Sequence, residues 1–176
     1  MTDKLRAVQV EPLSAELFRP YGRVIEYGGV PGRHYVPEAF DRACDLTSPS
    51  LWLRRVKGRR DLPMLVRHLE RHPYSAQTFL PTREFRHLVV VCAAQGDGSP
   101  DLSTLKVFAA GPGQGVCYAR NVWHHGLTIL DDEADFIVVM SLTGKGEDDV
   151  FMDLAQPIEI HDQSGLLREA KVHERA

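Results

Sequence analysis

The feature that most constrains this chain is that its apolar residues come in short runs closed by Gly, Pro, Asn or Asp, with hardly a helical period before residue 163. Leu88 to Ala94 is apolar throughout and is closed by the turn sequence Gln95 to Pro100, which suits a strand covered on both faces. Leu51 to Lys57, Leu105 to Ala109, Leu127 to Leu130 and Asp135 to Leu142 read as further strands. Lys4 to Val10 reads as an edge strand, Tyr21 to Glu26 as a short one and Pro157 to His161 as a last one. Ser14 can cap a single helical turn that Pro20 stops. Gly28 to Gly32 is turn chemistry that opens an irregular segment through Pro49. Closely spaced strands with turn signals predict an all-β sandwich or barrel with few short helices.

A chain of 176 residues with 43% hydrophobic content builds a core without metals or disulfides, and a single domain over residues 1–162 is expected. Residues 163–176 read as a charged tail, either a frayed helix or disordered. The net charge of -3, with scattered basic residues, gives no case for nucleic acid. Cys44, Cys92 and Cys117 are odd in number and contain no Cys-x-x-Cys pair. With no signal-peptide pattern and no long apolar run, they suggest a reducing, cytoplasmic location and no membrane association.

Two stretches carry chemistry. Gly111 to Gly126 is a glycine-rich turn running into a short apolar strand that ends on His124 and His125. Neighbours on a strand point to opposite faces, so only one of the two is expected to face inward, and His124 is the choice. In Pro63 to His72, an unbroken strand would put Met64, Val66, His68, Glu70 and His72 on one face. By the same alternation Arg54 and Arg55 lie on opposite faces, and Arg55 is taken as the inward one. Lys106 shares a face with Phe108, and alternation alone does not say whether that face is inward.

The spacings resemble those of cupins, a β-barrel family with one motif His-x-His-x-x-x-x-Glu and a second Gly-x-x-x-x-x-Pro-x-Gly-x-x-His. Glu70, His72 and Gln77 stand at the positions of the first. Gly113, Ala119, Asn121 and His124 stand at those of the second, and Asn tolerates the positive φ that the glycine place requires. The tetrad Glu70, His72, Gln77 and His124 suits a borderline divalent ion such as Ni²⁺, Mn²⁺, Fe²⁺ or Zn²⁺. A metal-free polar pocket binding substrate through the same side chains is equally open. A polar cluster in a barrel with no ligand at all is disfavoured by its desolvation cost.

Glu70-Arg71-His72-Pro73 with Gln77, Phe79 and Pro81, then Pro100 to Leu105, then Gly115 to His125 with Tyr118 and Arg120-Asn121-Val122-Trp123, resemble the bacterial ureidoglycolate lyases. The resemblance runs from about Val8 to about Leu154. It implies a cupin fold (a double-stranded β-helix or jelly roll) and a homodimer that cleaves ureidoglycolate to glyoxylate and urea in allantoin breakdown. Many members carry His in place of Cys44, and Asp-Arg-Gly-Gly in place of Met140-Ser141-Leu142-Thr143.

The reaction needs a base for the hydroxyl proton, a donor for the departing urea nitrogen and a cation for the carboxylate. His124 is the expected proton carrier, with His72 as its partner or a metal ligand. Lys106 or Arg55 would hold the carboxylate. Gln77 would take the ureido carbonyl if it is not a ligand, and Phe79 and Trp123 would contact the substrate. A divalent ion of the Ni²⁺ or Mn²⁺ class, if bound, would sit on Glu70, His72, Gln77 and His124. The competing expectations are another metal-dependent cupin enzyme, such as an oxygenase or sugar isomerase, and a small-molecule-binding cupin without turnover.

Overall fold

The computed structural model describes residues 5–43, 47–58 and 60–167. Twelve strands run through the described residues: β1 (Arg6–Pro12), β2 (Gly22–Ile25), β3 (Ser48–Lys57), β4 (Met64–Arg71), β5 (Gln77–Pro81), β6 (His87–Ala94), β7 (Pro100–Ala110), β8 (Gly115–Tyr118), β9 (Trp123–His124), β10 (Thr128–Ile129), β11 (Glu133–Leu142) and β12 (Val150–His161). One helical turn, α1 (Ala15–Phe18), and a 3-10 turn over Pro37–Phe40 complete the elements.

The strands form two sheets. One has the order β10-β6-β7-β1-β12-β4-β9, and β9 pairs back onto β6. Strands β6, β7, β1, β12, β4 and β9 therefore close into a six-stranded barrel, the cupin-like architecture that the motif spacings imply. The other sheet is open, with order β2-β8-β5-β11-β3.

Two cores follow from this arrangement. Apolar side chains from all six barrel strands, among them Val10, Leu69, Val90, Val107, Trp123 and Ile160, fill the barrel. Phe18, Phe79, Val91, Phe108, Phe136 and Val138 pack between the barrel wall and the open sheet. Strand β6 serves both, with Leu88, Val90 and Cys92 on the barrel side and Val89 and Val91 on the other. That double duty is why its sequence is apolar without alternation.

Helical turn α1 starts as its sequence requires, with Ser14 Oγ accepting from Leu17 N at 3.2 Å. It delivers Phe18, fully buried, against the rings of Tyr21, Phe108 and Tyr118, a burial worth roughly 1.5–3 kcal/mol. Gly115 has no room for a side chain, because a Cβ there would lie 2.5 Å from the Phe79 carbonyl oxygen. This close approach lets β8 lie against β5.

Two strand expectations change. β1 is an interior strand, parallel to both β7 and β12; its outward side chains are polar, and that is what gives it the look of an edge. In β4 the facing is broken. Val66 and Leu69 both enter the barrel core with Met64 packed against it, whereas His68, Glu70 and His72 face the cavity between the sheets. The ladder with β12 shifts at this point, Asp153 pairing with His68 and Ile158 with Val66. Such a bulge re-aims side chains without ending the strand. Strand β12 also begins earlier than its apolar C-terminal half suggests.

Beyond β12, Asp162 accepts from the backbone N–H groups of Leu166 and Leu167, and Leu167 packs against the barrel core. Residues 168–176, most of the expected tail, lie outside the described residues, as does Cys44. No helix among the described residues is long and apolar enough to cross a membrane.

Candidate active site

A cavity of about 470 Å³ opens between the barrel wall and the open sheet, outside the apolar interior of the closed barrel. Strand β3 supplies Trp52, Arg54 and Val56 to it, β4 supplies His68 and Glu70 with His72 just past its end, and β5 supplies Gln77 and Phe79. Arg60, His125 and Asp149 complete its polar lining.

Strand pairing sets the floor. Glu70 and His124 are direct cross-strand partners on β4 and β9, with His124 Nε2 3.6 Å from Glu70 Oε1. Asn121 takes a positive φ of 64° and anchors the preceding turn to the end of β4. Its N–H donates to the His72 carbonyl at 3.0 Å, and its Oδ1 accepts from Arg71 Nη1 at 2.8 Å. The motif asparagine thereby brings the His72 and His124 rings to 5.1 Å between centroids.

The hydrogen bonds around the two rings assign their protons. His124 Nδ1 lies 3.0 Å from the Val122 carbonyl oxygen. A carbonyl only accepts, so Nδ1 carries the hydrogen. Burial, reinforced by His72, pushes the His124 pKa down to about 3, so the ring is neutral and Nε2 presents a lone pair. That lone pair faces Gln77 Oε1 at 3.1 Å as well as the Glu70 carboxylate. Gln77 is oriented this way by its amide nitrogen, which contacts Met140 Sδ at 3.5 Å.

His72 Nδ1 lies 2.9 Å from Asp149 Oδ1 and 3.3 Å from the Asp148 carbonyl, so it too carries the hydrogen. His72 Nε2 is buried with no hydrogen-bond partner among the described residues. Burial raises the Glu70 pKa.

One carboxylate and two imidazole acceptors therefore converge, their ligand atoms all within 4.8 Å of one another. Lone pairs aimed at one another in a buried space are costly unless a cation lies between them. A set of two His and one carboxylate, each imidazole fixed through its other nitrogen, fits a divalent metal. Tyr118 stacks on His124 at 4.2 Å with 12° between the planes and holds the ring in place.

The other expected site residues divide. Gln77 and Phe79 line the cavity. Lys106 does not: its ammonium pairs with Glu11 at 2.6 Å, partly exposed to solvent. Arg55 lies on the far face of β3, doubly bonded to Asp135 at 2.7 Å, and Arg54 holds the inward position between Trp52 and Val56. Trp123 is fully buried in the barrel core, where its indole N–H donates to the Gly98 carbonyl at 3.0 Å. It precedes His124 on one strand, so the alternation that sends His124 to the cavity sends Trp123 away.

Alternation stops one residue later. Strand β9 ends at His124, and the chain turns so that His125 also lines the cavity. Both histidines therefore face the same space. His125 Nδ1 approaches Thr128 Oγ1 at 2.9 Å, and Thr128 Oγ1 gives its own proton to the Gly126 carbonyl. His125 must then donate from Nδ1, which leaves Nε2 as the acceptor. Sequence reasoning did not single out Trp52, Arg60 or Asp149, placed His68 on the face of Glu70 and His72 without giving it a role, and set Arg54 and His125 facing away from the pocket; all of them line it. The period-2 pattern of β3 held the signal for Trp52 and Arg54.

The divergent segment supports the site from behind. Met140 orients Gln77, and Thr143 donates twice to Asp148, at 2.7 and 3.0 Å, fixing the loop whose Asp149 holds His72.

The family model described as ureidoglycolate lyase matches residues 5–161. A ureidoglycolate lyase of Escherichia coli K12 is 38% identical over 144 residues, 75% of this chain and 86% of that protein. A protein of Agrobacterium fabrum, named provisionally as a ureidoglycolate lyase, is 37% identical over 156 residues, 89% of this chain and 96% of its own length. The ureidoglycolate lyase of Shigella boydii serotype 18 is 37% identical over 140 residues, 75% of this chain and 86% of its own. The match spans β1 to β12 and includes every residue of the convergent donor set, and on that ground this chain belongs to the ureidoglycolate lyase family.

Proposed function

We propose that this protein is a ureidoglycolate lyase, cleaving ureidoglycolate to glyoxylate and urea in allantoin breakdown at the cavity floored by Glu70, His72 and His124. The observation that carries the reading is the convergence of those three donors in a chain matched along its length by the family.

A divalent ion of the Ni²⁺ or Mn²⁺ class would be held by Glu70, His72 and His124, with Gln77 Oε1 as a further oxygen. Such an ion supplies Lewis acidity, lowering the pKa of the substrate hydroxyl. His124, sealed behind Gln77, is suited to the ligand role, and proton carriage then falls to His125. Its Nε2 takes the hydroxyl proton as the new C=O bond forms. The C–N bond breaks with its electron pair passing to nitrogen, and that nitrogen takes the proton back from Nε2. No water is consumed. Phe79, Trp52 and Val138 form the apolar wall that keeps solvent from the breaking bond.

The reading takes residues 1–162 as one catalytic domain, acting as a homodimer. Cys92 and Cys117 are free and buried, in keeping with a cytoplasmic location. A colorimetric glyoxylate assay on purified protein, before and after chelation, tests the reaction. Release should be lost with chelator and restored by Ni²⁺ or Mn²⁺. No glyoxylate from either enantiomer, with or without added metal, overturns it.

A further inference from the structure

Two cations at the cavity have no counter-charge bonded to them. Arg54 and Arg60 both line it, and neither guanidinium makes a hydrogen bond or ion pair among the described residues. Several other arginines are paired, Arg23 with Glu38, Arg55 with Asp135, Arg86 with Asp131 and Arg120 with Asp41, whereas these two face the cavity. Arg54 stands on the inner face of β3 in register with Phe136, between Trp52 and Val56, with its side chain exposed. Arg60 is placed by its backbone N–H, which donates to the Ile129 carbonyl at 2.9 Å. Planar guanidinium groups at a cavity wall match a carboxylate in two-point geometry.

We infer that Arg54, assisted by Arg60, is the carboxylate-recognising residue of this cavity, and that the pair selects ligands carrying a carboxylate over neutral ones of the same shape. The inference rests on the lyase reading for the identity of the substrate, not for the existence of the anion site. Arg54 and Glu70 line the same cavity, so a ligand carboxylate held at Arg54 lies in the space that the donor floor bounds. The role expected from sequence for Arg55 or Lys106 passes to Arg54, the neighbour of Arg55 on the opposite face of β3.

The test compares two ligands of nearly the same shape that differ in charge, glycolate and its neutral amide glycolamide, by calorimetric titration of the metal-loaded protein. Wild type should prefer the acid by on the order of tenfold or more. Arg54→Met should erase most of that preference, and Arg54→Lys should keep part of it. Arg60→Met should reduce it, and Arg55→Met should leave it unchanged. In turnover, Arg54→Met should raise KM for ureidoglycolate more than it lowers kcat. Circular dichroism and melting of the same variants show whether the fold is kept; if Arg54→Met is misfolded, Arg54→Gln takes its place. An acid preference that survives in the folded Arg54→Met, Arg60→Met double variant, or that wild type lacks, overturns the inference. Loss of the preference in a protein that fails to cleave ureidoglycolate would sustain the anion site while removing the lyase reading.

Discussion

Glu70 and His124 face each other as direct partners across the β4–β9 ladder, so two of the three floor donors are held by backbone pairing. Replacing His124 with Asn, or Glu70 with Gln, should leave that ladder intact and remove one ligand. Metal content per chain should fall with activity, with metal affinity lower by about 100-fold or more, and Asp149→Asn should cost about 10- to 100-fold through His72. Elemental analysis after dialysis reads this directly. Full metal occupancy in His124→Asn would show that His124 is not a ligand.

His125→Asn should behave differently. Its Nε2 is the acceptor assigned to carry the substrate proton, so turnover should drop by about two to four orders of magnitude while bound metal stays at the wild-type level. A variant that loses metal and rate together would move His125 into the ligand set.

Trp123→Phe separates packing from substrate contact. The change opens a void in the barrel core and leaves the Gly98 carbonyl without its donor, which should cost about 1–3 kcal/mol of stability. KM for ureidoglycolate should stay at the wild-type value. A raised KM at unchanged stability would contradict the placement of Trp123 inside the barrel.

Much of the fold was legible in sequence where local chemistry and tertiary context agree. The unalternating Leu88 to Val91 run of β6 reads as a strand covered on both faces, and it is one. Asn121 in a glycine place signals positive φ, and the structure has it there. The errors fall where strict alternation fails or was applied to one residue of a pair only. The bulge opposite β4 shifts the face between Val66 and His68, and no residue in β4 itself announces a bulge carried by β12. Arg54 and Arg55 are chemically equivalent in sequence; which one is inward is decided by Trp52 and Val56, two residues to either side. Trp123 was set beside His124 in the pocket although one strand cannot turn both inward. His125 needed the end of β9, and a strand of two residues is too short to have a readable end.

His87 gives a stability test outside the donor floor. Burial pushes its pKa down from 6.5 to about 4, and its Nδ1 is buried without a partner among the described residues. Between these two pH values the unfolded chain holds the proton and the folded protein does not, so stability falls as pH drops through that window. One group contributes about 1.4 kcal/mol per pH unit. Urea unfolding at intervals from pH 7 to pH 4 should show His87→Leu losing less stability on acidification than wild type, by about that slope. Parallel curves for the two proteins would show that His87 is protonated in the folded state.

Product stoichiometry on ureidoglycolate tests the central claim most directly. Cleavage of the C–N bond at the hydroxyl-bearing carbon predicts one urea for each glyoxylate and no ammonia, with both products lost together in His125→Asn. Ammonia released in place of urea would mean attack on the ureido carbonyl by water, and would contradict a lyase acting through transfer of a proton from oxygen to nitrogen.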